Sequence, residues 1–280
     1  MSKVLCRDEE LIEVAQGLPA AARLLVELGQ LIRNPSVDTR DITAVLRRDP
    51  ALVSRLIRIA NGAVYARAEP ASSLEEAVAC IGFGEVHRLV GAVAAAQQAE
   101  AKLACYATDP VRARHNALFV ALIMEQLAEL AGEEPRGAYT IGLLRSIGKL
   151  ILDQLAVRFI GVVEFDPAKW GALQEWEEEH WEMTSAQVAE KILVHWRMPA
   201  ETALAIRHHC QPAHRHNPMI HLLNLAAGAA DHRGYGLPGE ESYWKFEPEN
   251  FTKAGVDPKF FQGAAEAADR AFHRLIKATG

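Results

Sequence analysis

The segment Leu143–Asp153, LLRSIGKLILD, constrains the fold more than any other part of this chain. It reads as one helix with apolar residues on nearly every side: Ile141, Leu143, Leu144, Ile147, Leu150, Ile151 and Leu152. A helix that is hydrophobic all round has to be enclosed by other elements. Its few polar groups gather together. Ser146, Lys149 and Asp153 fall on one arc at helical spacing, and Arg145 lies at that arc's edge. The expectation is a core built around this helix, with a polar pocket on one side.

The enclosing elements are also helices. Asp-Pro occurs at Asp49-Pro50, Asp109-Pro110, Asp166-Pro167 and Asp257-Pro258, and Asn217-Pro218 is related. The Asp or Asn side chain accepts from free N–H groups of a first helical turn, and proline there forfeits no hydrogen bond. These pairs predict helix starts, whereas Asn34-Pro35 follows a helix and marks its end. The first helix is expected over Pro19–Arg33, a second over Arg40–Arg48, and a third from Pro50 to a left-handed turn at Asn61-Gly62. Ser72 and Ser73, each with a Glu three residues on, open the next. Longer helices follow over Glu85–Leu103 and from Pro110 to Ala131. Val157–Phe165 suits a short strand or an extended connection. Further helices are expected from Pro167 to Glu179, from Thr184 to His195, over Pro199–His209, from Pro218 to His232 and over Pro258–Thr279. Gly234–Gly239 reads as a linker. The fold class is all-α.

Composition narrows the function. The chain has 280 residues, half of them hydrophobic, with a formal net charge of −6. That balance argues against general nucleic-acid binding. Cys6, Cys80, Cys105 and Cys210 form no CxxC pair, which suits reduced thiols in a cytoplasmic protein. The start, MSKVLCRDEE, lacks an apolar signal core, and no apolar run is long enough to span a bilayer. No P-loop, nucleophile elbow or dinucleotide fingerprint occurs.

Several local motifs stand out. In DPALVSRLIRIANGAVY, Asp49–Tyr65, one helical face carries Leu52, Leu56, Ile59 and Ala60, and the opposite face carries Ser54, Arg55 and Arg58. Arg55 and Arg58 are candidate partner contacts. EWEEEHWE, Glu175–Glu182, sets Trp176 and Trp181 in an acidic helix, either docked on the core or offered to a partner. His208, His209, Cys210, His214, His216 and His221 are all metal-capable, but their spacing fits no zinc framework, so an incidental metal stays open.

LLRSIGKL resembles the "LLHDIGKL" segment of the HD metal-dependent phosphohydrolases, in which the central His-Asp pair binds metal. Asp49–Tyr65, Ser72-Ser73-Leu74, Ala77–Gly82, HNALFVALI at His115–Ile123, Trp196–Pro199 and AIRHH at Ala205–His209 resemble the HDOD family, a branch lacking that pair. The resemblance implies a multi-helix HD-like bundle with an N-terminal helical subdomain. It divides the chain into an N-terminal half (1–105), an HD-like half with a degenerate metal site (106–215) and a C-terminal helical extension (216–280).

The resemblance also fixes the candidate pocket: His115, Arg145, Ser146, Ser185, His208 and His209. Arg145 and Ser146 stand at the metal-binding pair, Ser185 at a family His, and the family's late Asp falls near Ala227. Arg has no lone pair to offer a metal. The expected protein is therefore not an enzyme and has no cofactor. It is a bacterial signal-transduction module acting on signalling proteins in trans. The alternatives are a nucleotide sensor using the vestigial pocket, with Arg145 meeting a phosphate, and a divergent phosphohydrolase using His115, His208 and His209.

Overall fold

The computed structural model describes residues 7–18, 20–65, 70–98, 103–159, 161–213 and 216–279. Every regular element among them is helical, and the one β-type pairing is an isolated bridge between Leu103 and Thr108. The chain opens with α1, Asp8–Gln16, which the sequence reading did not anticipate. Its apolar stripe is short, only Leu11, Val14 and Ala15, and three acids fill its first turn. Next come α2, Ala20–Ile32, and α3, Thr39–Leu46, whose N-cap Asp38 accepts from the Arg40 and Asp41 N–H groups. In α4, Pro50–Ala60, Asp49 caps Leu52 N–H, and Leu52, Leu56, Ile59 and Ala60 are buried as the wheel predicts. The expected left-handed turn is absent: Asn61 sits at φ −88 and ψ −2.

Ser73 caps α5, Leu74–Ile81, while Ser72 donates to the Glu76 carboxylate, so both serines converge on one glutamate. Gly82, at φ +84, turns the chain into α6, Phe83–Gln98. That helix does not reach Leu103, which pairs with Thr108 instead. A short 3-10 turn, Ala104–Tyr106, leads to α7, Pro110–Ala131, capped by Asp109 and closed by Gly132 at φ +72.

The hub of the fold is α7, which packs against α6, α8, α13 and α15. Leu118 through Glu125 on it are all buried, so its surround is complete. The expected central helix is in fact two: α8, Pro135–Leu144, and α9, Ile147–Phe159, with a turn at Arg145-Ser146. Two glycines account for the elbow. A Cβ on Gly142 would lie 2.7 Å from Ala121 Cα, so α8 follows α7 closely. A Cβ on Gly148 would fall on the Ser185 carbonyl, so α9 turns to meet α11 instead. The elbow leaves Arg145 buried at 4% exposure.

α9 runs through Phe159, so Val157 is helical and not part of the extended connection or strand expected over Val157–Phe165; residues 161–165 carry no regular element, and Phe165 N–H donates to the Cys105 carbonyl. Asp166-Pro167 opens a turn rather than a helix, and α10 covers Leu173–Trp181. α11, Ser185–His195, has the predicted Thr184–Gln187 capping box. α12 is Ala200–His208 and α13 is Pro218–Ala230. Gly234–Gly239 is not a linker. Gly236 and Leu237 are buried, the Tyr235 carbonyl accepts from Asn116, and the Gly236 carbonyl accepts from Arg112. The extension ends in α14, Pro248–Ala254, and α15, Pro258–Thr279, which lies along α7. A single hydrophobic cluster runs through all three sequence segments. Among the described residues no single helix is long and apolar enough to cross a membrane.

The α4 wheel gives a direct check. Leu56→Ala, at a buried site, should cost about 2–5 kcal/mol of unfolding free energy. Arg58→Ala on the exposed face should stay within about 0.5 kcal/mol. Urea denaturation of both variants measures the contrast.

Candidate functional site

The α8–α9 elbow aims two cations into the protein. Arg145 Nη1 donates to both Glu240 carboxylate oxygens, at 3.1 and 2.9 Å, and Lys149 Nζ donates to the same carboxylate. All three side chains are at most 5% exposed. Arg145 Nη2 donates to Asn116 Oδ1 on α7 at 2.6 Å. Its guanidinium lies 5.6 Å from the Trp244 ring centre, and Lys149 Nζ lies 5.3 Å from that of Tyr106. Arg145 Nε and Ser146 Oγ are buried without a hydrogen-bond partner. A charge removed from water is tolerable only when paired and hydrogen-bonded. Here one carboxylate serves two cations.

The titratable groups respond to that arrangement. Burial alone would raise the Glu240 carboxyl, but the Arg145 and Lys149 charges outweigh it and hold it at about 2. His209 completes the cluster. Its Nδ1 lies 2.7 Å from the Ile206 carbonyl, an acceptor, so the proton sits on Nδ1. Nε2 then accepts from Arg145 Nη1 and the Cys210 thiol, each at 3.4 Å. Burial first, then the Arg145 charge, pushes His209 down to about 3, so the ring stays neutral. Burial raises the Cys210 thiol.

A second layer fixes these groups. Asn224 on α13 donates to the His209 and Tyr243 carbonyls and accepts from Lys245 N–H and Asn250 Nδ2. It thereby ties the end of α12 to the segment that delivers Glu240 and Trp244. On the other side Glu177 accepts from Tyr106 O–H at 3.0 Å and from Ser185 N–H at 2.9 Å. Burial raises its carboxyl against the pull of Lys149. Asp153 accepts from Cys105 N–H at 2.7 Å.

Of the residues singled out in the sequence, Arg145, Ser146 and His209 are gathered at the elbow. His115 is not. It is half-buried against the rings of Tyr235 and Phe272, and its neighbour Asn116 reaches Arg145 instead. Ser185 lies at the start of α11 against Gly148, and His208 is half-buried. The histidine-rich stretch does not converge either. His221 faces Asn250, His216 is exposed, and His214 lies outside the described residues. Trp176 and Trp181 are no partner surface: they are 0% and 2% exposed and pack on each other and on Tyr106. Arg58 is exposed as expected, but Arg55 is half-buried and donates to the Thr279 carbonyl. Glu240, Asn116 and Trp244 were missed by the sequence reading. No acid stands at Ala227, where the family's late Asp falls, and Glu240 arrives from the segment after α13 instead.

This donor set does not suit a divalent metal. A metal at the position of Arg145 and Ser146 would sit beside a guanidinium and an ammonium, with one carboxylate already shared between them. Among the described residues no three His, Cys, Asp or Glu side chains are grouped to hold a metal.

The ion cluster predicts stability. Arg145→Met leaves Glu240 and His209 short of their partner and should cost about 3–5 kcal/mol, read from chemical denaturation. Acid sensitivity should follow two groups. His209, near 6.5 when unfolded and about 3 when folded, contributes stability that is full above pH 6.5 and drains as pH falls toward 3. Glu240, near 4.5 unfolded and about 2 folded, adds a further loss between those values. His209→Gln should flatten the fall in melting temperature between pH 6.5 and 4.5, and an unchanged slope would remove His209 from this account.

Known proteins share the fold. A Marinobacter aquaeolei protein provisionally named for signal transduction superposes with a TM-score of 0.69 at 24% identity, covering 94% of this chain and 58% of that one. A Geobacter sulfurreducens HDOD domain protein of unknown function gives 0.69 at 17%, covering 97% of each chain. A Shewanella amazonensis protein provisionally named a phosphohydrolase gives 0.64 at 21%, covering 97% and 98%. In sequence, an uncharacterized Treponema pallidum protein is 26% identical over 138 residues, which is 48% of this chain and 26% of that protein. The HDOD domain profile matches residues 18–212, which include the elbow, the tryptophan pair and His209. With the profile covering more than half of it, this chain belongs to the HDOD domain family.

Proposed function

We propose that this chain is a non-catalytic regulatory module that acts on other signalling proteins through binding in trans. The observation that carries this reading is the Arg145–Glu240–Lys149 cluster. By the sequence resemblance Arg145 stands where the phosphohydrolases would hold metal, and this cluster sets fixed, paired charge around it. The two acid–base groups in the cluster are already engaged: Glu240 is doubly ion-paired, and His209 is neutral with both ring nitrogens engaged. The name of the Marinobacter protein is in keeping with a signalling role.

A nucleotide sensor built on the same pocket is the weaker reading. A phosphate meeting Arg145 would have to displace Glu240 from a buried, hydrogen-bonded pair. A divergent phosphohydrolase would need His115, His208 and His209 to converge, and His115 packs against Tyr235 and Phe272 instead.

The test combines elemental analysis with assay. Purified protein should carry no stoichiometric Mn, Fe or Zn. It should hydrolyse neither phosphomonoesters nor nucleotides when these metals are supplied. One tightly held metal per chain, with phosphatase activity that disappears in His208→Ala or His209→Ala, would overturn the proposal.

A further inference from the structure

The cations buried at the elbow have a carboxylate, and half-buried Arg88 pairs with Glu85 and Glu125. Among the described residues a third cluster of cations has none. Between the end of α4 and the last turn of α15 lies a half-open cavity of about 300 Å³, lined by Arg55, Arg58, Ile59, Val64, Lys277 and Thr279. Arg114 on α7 backs it, donating Nη2 to Thr279 Oγ1 at 2.8 Å while Arg55 donates to the Thr279 carbonyl at 3.1 Å. Arg114 Nε is buried with no acceptor. Among the described residues no carboxylate forms an ion pair with Arg55, Arg58, Arg114 or Lys277. Burial, then the Arg55 charge, holds the Arg114 guanidinium below its ordinary value, as expected where positive charge is uncompensated.

Like charges brought together at the rim of a cavity repel one another unless an anion joins them. Guanidinium forks match the planar, bidentate geometry of phosphate oxygens. The wall beside them is apolar, from Ile59, Val64 and Ala278. A cavity of about 300 Å³ is at the small end for ligand sites. That volume suits a small ligand rather than a nucleic-acid track, and the chain as a whole is acidic at −6. We propose that this cavity binds a small phosphomonoester, with the phosphate held by Arg55, Arg58 and Lys277 and the organic body against Ile59, Val64 and Ala278. The site is separate from the Arg145 cluster, so its failure leaves the non-catalytic reading untouched.

Calorimetric titration of the full chain tests it at physiological ionic strength. The probes are phenyl phosphate, inorganic phosphate, sulfate and a phosphoserine decapeptide. Phenyl phosphate should saturate at one per chain and bind more tightly than either inorganic ion. Arg58→Ala and Lys277→Ala, both at exposed positions that leave the fold intact, should each weaken it about tenfold, the loss of one charge-assisted hydrogen bond. Arg33→Ala, an exposed cation elsewhere, should leave binding unchanged. No saturable binding, or equal weakening in the Arg33 variant, would overturn the site. Tighter binding of the decapeptide would overturn its assignment to a small molecule.

Discussion

The buried carboxylate of Glu240 is the group on which the arrangement of this protein depends. Stripped of water and left alone, a carboxylate costs several kcal/mol. Its two cations come from successive turns of one helical elbow, and a third partner, Asn116, reaches the same guanidinium from α7. None of these contacts forms unless α7, α8, α9 and the chain after α13 are all in place. Such pairs gain little over well-packed apolar groups, so the consequence of the cluster is chiefly geometric: it ties the chain after α13 to the elbow. It decides where the C-terminal extension must lie.

That dependence explains why the extension is not a separate unit. Gly236 and Leu237 are buried because the chain must descend to bring Glu240 inside. Asn224, with both donors and its acceptor used, holds the following Tyr243–Lys245 segment against the end of α12. Glycine and proline at 234–239 read as a linker from composition, yet they shape a tightly bonded descent.

The fold was largely legible because its signals are local. Asp49, Asp109 and Thr184 cap the helices that their spacing predicts, and Leu52, Leu56 and Ile59 bury the predicted face. The elbow was not legible. Local pattern joins Leu144 to Ile147, and only the approach of two different partners at Gly142 and Gly148 separates them. The site was half legible. Arg145 and His209 were placed by motif, but the choice of Asn116 over His115 is a matter of helix rotation. Glu240 lies 95 residues from Arg145, with nothing local to link them. The tryptophans show the same limit, since an acidic helix carries Trp176 and Trp181 inward while its glutamates take the solvent side, all but the buried Glu177.

Arg145 and Ser146, at the position where the resemblance would put a metal-binding pair, give the pocket a fixed positive charge of its own. A divalent ion surrounded by carboxylates and imidazoles is a buried positive charge with acceptors turned toward it. Arg145 and Lys149 supply a similar charge, and Glu240, Asn116 and His209 turn acceptors toward it. A guanidinium is coordinatively closed, and its remaining N–H at Nε meets no acceptor. The helices enclose this centre with its charges paired and hydrogen-bonded. Elsewhere in the fold, exposed Arg58 and Lys277 and half-buried Arg55 remain without a counter-charge among the described residues.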